Sequence, residues 1–218
     1  MSLRTTLDDL EPHFSKGGKY ESFYALYEAI DTILYTPGKV TAGASHVRDA
    51  VDMKRVMTTV WWCAFFPMLA GMYHVGLQAN LAMDNMGIEG VAGWRGWIIE
   101  LLAGYDADNW WHCLIYGASF YVPIYMVTFI VGGFWEVLFA VKRGHEINEG
   151  FFVTSILFSL ILPATIPLWQ VAIGISFGVV IGKEIFGGVG KNFLNPALTG
   201  RAFIFFAYPA ELSGDSVW

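Results

Sequence analysis

The sequence predicts an all-α integral membrane protein with about five transmembrane helices. Of its 218 residues, 55% are hydrophobic and 15% charged, against about 25% charged in ordinary globular domains. Mean hydropathy is +0.48. Long apolar runs recur between residues 56 and 208, and Lys and Arg gather in the connections on one side of them. The same balance excludes a disordered tail, and the net charge of −6 excludes a basic nucleic-acid binder. Cys63 and Cys113 fit no CxxC pattern, so the sequence supports neither a disulfide framework nor a zinc or Fe–S site.

Two regions follow: an N-terminal arm over 1–55 and a transmembrane domain over 56–218. The first residues, MSLRTTLDDLEPHF, are acidic and lack an apolar core, so they do not read as a signal peptide. Within the arm, Phe23, Leu26, Tyr27, Ile30, Ile33 and Leu34 fall at helical spacing, with Glu21, Glu28 and Asp31 on the other side. That pattern predicts an amphipathic helix lying against something rather than spanning, closed by Thr36-Pro37-Gly38.

The first span is expected over Val56–Leu81, kinked at Pro67. Residues 82–110 read as a loop rich in Gly, Trp and acids. The second span covers Leu114–Val141 and stops at Lys142-Arg143. The third covers Gly150–Leu162 and is broken by Pro163 and Pro167. The fourth and fifth cover Leu168–Gly182 and Pro196–Tyr208. Residues 1–55 carry seven of the thirteen basic residues, while the 82–110 loop has Arg95 against five acids. By the positive-inside rule the N-terminus is cytoplasmic.

Several motifs stand out. Gly174, Gly178 and Gly182 form overlapping GxxxG steps, expected where helix backbones touch. In VGGFWEVLF, Gly132-Gly133 leave room for a planar or bulky partner, and Glu136 is an ionisable group near the inner end of a span. Such a group either pairs with Lys142 or Arg143 or works as an ion or proton relay. The stretch GKEIFGGVGKNFLNPAL is glycine-rich and offers two carboxamides, Asn192 and Asn195. Asn195 before Pro196 reads as a helix cap, and the pair could also bind a polar heterocycle. A P-loop fails, because Ile185 and Asn192 stand where Gly and Ser or Thr are required. KRGHEINEG is not an HExxH zinc helix, and His13, His46, His74 and His112 are scattered, so no metal site and no catalytic residue is expected.

SHVRDAVDMKRVM, FIVGGFWEVLFAVKRGHEINEGFFVTSILF and GKEIFGGVGKNFLNPALTGRAFIFFAYPAELSGDSVW resemble the B subunits of bacterial Na+-translocating NADH:quinone reductases. The resemblance runs from about Leu7 to Trp218. It implies a multi-pass subunit of the bacterial inner membrane, one half of an inverted-repeat, urea-channel-like fold. The family's complex passes electrons from NADH through flavins and Fe–S centres on partner subunits to ubiquinone, coupled to Na+ export. By motif, the resemblance implies quinone binding at Gly132, Gly133, Phe134, Glu136 and Lys54, an ion pathway at Glu136, and riboflavin contacts at Asn192 and Asn195. The family also carries FMN covalently on an SGAT-type motif, which these 218 residues lack. The chain is therefore expected to be an N-terminal portion, neither active nor well packed alone. Competing readings are the D subunit of the related Rnf ferredoxin:NAD+ reductase, a non-redox channel or transporter half, and a structural anchor.

Overall fold

The computed structural model describes residues 2–35, 51–145, 147 and 149–213. The Thr36-Pro37-Gly38 terminator, His46 and Glu146 lie outside the described residues. The described part is helical throughout, with short 3-10 turns and no strand among the described residues.

The arm holds two helices rather than the one expected: α1 (Leu3–Phe14) and, after a 3-10 turn at Glu21–Phe23, α2 (Tyr24–Leu34). Leu3, Leu7, Leu10 and Phe14 recur at helical spacing along α1, a stripe too sparse to outweigh its polar residues in a first reading. Only Leu7 of that stripe is buried, against α2, while Leu3 and Leu10 stay exposed. In turn α2 buries Tyr27, Glu28, Ala29 and Thr32, and the expected apolar positions Phe23, Leu26, Ile30 and Leu34 are left exposed. Tyr27 is buried, donates its hydroxyl to the Leu7 carbonyl at 2.9 Å and stacks on Phe14 with ring centroids 5.5 Å apart. Arg4 joins Asp8 and Asp31, each at 2.8 Å.

The long helices α3 (Met53–Met86) and α5 (Trp110–Arg143) have 34 residues each. They rise roughly 51 Å, well past the roughly 30 Å hydrocarbon core of a bilayer. Asp52 caps α3 by accepting from the Arg55 N–H at 2.8 Å, and Asn109 caps α5 by accepting from Trp111 at 3.0 Å. Gly144 ends α5 with φ +67°, a left-handed turn that a Cβ would strain. Helix α3 continues through Pro67 without a break. The two helices cross antiparallel at glycines: a Cβ on Gly76 would run into the Cys113 carbonyl, and one on Gly117 into that of Met72.

The 82–110 segment is not all loop. It contains α4 (Trp94–Leu102), which buries Ile99 with Met83 and Tyr116. Glycines at 87, 90, 93 and 96 obscured this helix, whose inward face is only two turns long.

After α5 come α6 (Gly150–Leu160) and α7 (Leu168–Val180), with Pro163 and Pro167 in the break between them. A 3-10 turn at Glu184–Phe186 leads to α8 (Pro196–Ala207) and the short α9 (Pro209–Leu212). Among the described residues three segments are long and apolar enough to cross a membrane: Met53–Met86, Trp110–Arg143 and Leu168–Phe186. The other two predicted spans are shorter. Helices α6 and α8, at 11 and 12 residues, rise only about 17 and 18 Å, so neither crosses a bilayer by itself.

The Gly174–Gly178–Gly182 face makes the close approach it was expected to make. A Cβ on Gly178 would strike the Pro196 carbonyl and lie 3.2 Å from Gly200 N, and one on Gly200 would lie 2.9 Å from Phe158. Around this crossing Ile124, Phe151, Phe158, Val171, Ile175 and Ile204 form the main core. The start of α3, the end of α5, the start of α6 and the end of α7 come together at one end of the bundle. We call this the basic end.

Candidate functional site

Two buried clusters of charge occupy the basic end. In the first, Glu136 on α5 meets Lys183, the residue that opens the turn after α7. The two side chains are 7% and 3% exposed. Lys183 Nζ also lies 3.3 Å from Glu184 Oε1. Arg143 forks onto Glu184, donating Nη1 to Oε2 at 2.7 Å and Nη2 to the backbone carbonyl at 2.6 Å. Glu136 thus pairs with Lys183, not with Lys142 or Arg143 as one reading of the sequence had it. Two carboxylates face two cations, so the cluster balances its charge in a medium where an unpaired ion is costly.

The glycines after this turn have a backbone reason. Gly187, Gly188 and Gly190 have φ values of +109°, +93° and +84°, a region that side chains with a Cβ avoid. Their turns let the chain double back at the basic end, where Lys183 and Glu184 are held.

In the second cluster, Lys54 on α3 pairs with Glu28 of α2 and lies 3.4 Å from Glu149, which precedes α6. Thr32 donates its hydroxyl to Glu149 Oε1 at 2.8 Å, while Glu149 Oε2 is buried with no hydrogen-bond partner among the described residues. The Arg55 guanidinium donates to the carbonyls of Ile33 and Thr32 at the end of α2. This ties the arm to α3.

Phe151 packs against the glycine pair of α5. Its ring lies where a Cβ on Gly132 would be, 2.6 Å from Phe151 Cε2 and 3.0 Å from Ile175 Cγ1. The room expected beside the glycine pair is therefore filled by protein at Gly132. A Cβ on Gly133 would meet only the ring edge, at 3.6 Å. Phe134 points outward and is 58% exposed, whereas Trp135 donates its indole N–H to Ser176 at 2.9 Å and holds α5 to α7.

Asn192 and Asn195 lie on the connection before α8. Asn195 is the cap of that helix, accepting from the Leu198 N–H at 3.1 Å, and Asn192 donates to the Leu194 carbonyl at 2.7 Å. These bonds leave the Asn195 amide N–H and the Asn192 carbonyl oxygen without a partner among the described residues. Beside them, Leu194, Thr199, Phe177, Phe203 and Phe206 line an apolar groove of about 610 Å³, with Phe177 and Phe203 stacked at 4.3 Å. Neither asparagine lines the groove itself.

The predicted residues thus form two groups rather than one. At the basic end Gly132 and Gly133 lie against Phe151, Glu136 pairs with Lys183 and Lys54 with Glu28 and Glu149, while Phe134 faces outward. The two asparagines lie on the connection before α8. Between the arm and the end of α5 is a cavity of about 730 Å³, lined by Phe14, Lys16, Tyr24, Ala140 and His145 among others, but by no predicted site residue. The reading of the residues missed Lys183, Glu149, Glu28 and Phe151 as site members. The available signal was a Lys-Glu doublet directly after an apolar run, and a lone Glu directly before one. Among the described residues no group of three or more His, Cys, Asp or Glu side chains comes together as a metal-ligand set.

The chain is similar over its whole length to proteins named as the B subunit of the Na(+)-translocating NADH-quinone reductase. Identity is 67% over 219 residues for that of Chromohalobacter salexigens, 64% over 220 for Stutzerimonas stutzeri and 62% over 222 for Pseudomonas paraeruginosa. The chain spans about half the length of these relatives, 53% of the first and 55% of the other two. Residues 40–218 match the model of the NQR2, RnfD, RnfE family. On its helical membrane architecture and this match, the chain belongs to the NQR2, RnfD, RnfE family of membrane proteins.

Proposed function

We propose that the chain is the N-terminal half of a membrane subunit in a redox-driven sodium pump. In this reading the complete protein works within a multi-subunit complex of the bacterial inner membrane that carries electrons from NADH to ubiquinone and exports Na+. The names of its relatives favour the B subunit of the quinone reductase over the D subunit of the Rnf complex. The basic end, with the arm over 1–55, faces the cytoplasm, because the clustered Lys and Arg belong inside.

The observation that carries the reading is Glu136. A carboxylate buried among apolar helices, one helical turn from Gly132 and Gly133, is where an intramembrane ion pathway puts one. The edge of Gly133 and the Lys54–Glu149 pair flank the place where a quinone headgroup would sit. Lys54 supplies a donor there, Glu149 Oε2 an acceptor, and Phe134 an exposed aromatic face.

Riboflavin belongs at the α7–α8 groove. The Asn195 amide would donate to its ring system, the Asn192 carbonyl oxygen would accept from it, and Phe177 and Phe203 would exclude water. A bound flavin would supply one-electron chemistry, and Asn192 and Asn195 would orient it. Covalent FMN is a property of the family for which these residues offer no attachment motif.

The test is Glu136→Gln in the full-length subunit within the purified complex, with quinone reduction followed against Na+ concentration. A raised Na+ requirement with normal flavin content supports the pathway. An unchanged Na+ dependence removes Glu136 from it.

A further inference from the structure

The geometry points to Lys183 as the resident cation of a monovalent-cation site at Glu136, with which Na+ competes. This inference rests on the reading of Glu136 as an ion-pathway group. The Lys183 ammonium contacts the Glu136 carboxylate directly, the place a bound Na+ would take. A second acceptor, Glu184 Oε1, lies 3.3 Å from the same nitrogen. Glu184 itself cannot follow the lysine, because Arg143 holds its other carboxylate oxygen and its backbone carbonyl. The ammonium therefore has one engaged partner and one fixed partner beside it, so a small rotation of a flexible stem moves it between them. The four side chains sum to zero charge. An incoming Na+ finds a vacated carboxylate only when Lys183 turns to Glu184, and its arrival leaves the cluster at +1. The cluster thus opposes cation binding at rest and favours it when negative charge appears nearby, since charges at low dielectric act over longer distances than in water.

A purely structural ion pair would also join α5 to α7, so the test needs a readout that a brace would not move. That readout is the half-saturating Na+ concentration for quinone reduction, measured in the full-length subunit within its complex. Lys183→Met removes the competitor and leaves a net charge of −1. Half-saturation should fall by about tenfold, within the roughly 5- to 150-fold range of ordinary site coupling. Half-saturation is read at several pH values for every variant, so that a change in the protonation of the cluster is seen apart from the loss of the competitor. Glu184→Gln removes the alternative partner and pins the ammonium on Glu136, so half-saturation should rise. Lys183→Arg keeps the charge and should not lower it.

If Lys183→Met fails to assemble, the rise in Glu184→Gln still decides. A half-saturation unmoved or shifted the opposite way in these variants, while Glu136→Gln raises it, overturns the role of Lys183 and leaves the Glu136 pathway standing. A half-saturation unmoved in Glu136→Gln overturns both.

Discussion

Gly132 and Gly133 are neighbours in sequence, yet alanine should affect them oppositely. A Cβ at 132 would lie 2.6 and 2.9 Å from two Phe151 carbons and 3.0 Å from Ile175 Cγ1, where carbons prefer about 3.5–4.0 Å. The ring must therefore retreat by about 1 Å. It has little room: Phe151 is 3% exposed and lies against Phe129, with centroids 5.8 Å apart. Overpacking of this kind costs about 1–3 kcal/mol. The strain passes to the residues before α6, because Glu149 with its Lys54 contact is two residues from Phe151. At 133 the nearest atom would be 3.6 Å away, an ordinary contact, and replacing a helical Gly with Ala contributes up to about 1 kcal/mol of stability. Thermal unfolding of the solubilised full-length protein should rank Gly133→Ala at or above wild type and Gly132→Ala clearly below. If Gly132→Ala is silent and Gly133→Ala unfolds early, the glycine pair does not exist to seat Phe151 and the packing argument is wrong.

Other expectations follow from single contacts. Burial pushes the Tyr27 phenol above its ordinary value, helped by the nearby Asp31 and Glu11 carboxylates. The docking of α1 that depends on the neutral hydroxyl is therefore fully present below about pH 10 and lost as pH rises through the elevated value. Limited proteolysis of the arm should accelerate at alkaline pH, and Tyr27→Phe should loosen the arm at neutral pH by about 1 kcal/mol while abolishing that alkaline step. Asn195→Ala removes the cap of α8 and should lower stability by about 1 kcal/mol. Asn192→Ala should change flavin retention more than stability, and equal effects on both would count against separate roles. Gly117→Leu drives a side chain into the Met72 backbone, so expression of folded protein should collapse; normal yield would mean that α3 and α5 do not cross at these glycines.

Much of this fold was legible in the sequence, for a physical reason. In a bilayer the backbone must satisfy its own hydrogen bonds, so apolar runs become helices and Pro or Gly marks their ends. Hence α5, α7 and α8 lie close to the expected limits, Pro163 and Pro167 interrupt the chain where they should, and Asn195 caps as its Asn-Pro neighbour suggested. Local pattern failed where burial came from elsewhere. The burial of Leu7 in α1 comes only from α2, and that of the two-turn face of α4 only from Met83 and Tyr116.

The site divides in the same way. Composition and motif determined that Glu136 is an ionisable group in a membrane helix beside two glycines, because burying charge in an apolar run is visible without a structure. Which partner neutralises it could not be read from one helix. Lys142 and Arg143 are closer in sequence, but Lys183, 47 residues away, has it. That choice was made by the packing of α5 on α7 through Gly132 and by the left-handed glycine turns after Lys183, which together bring two remote charges to the same buried place.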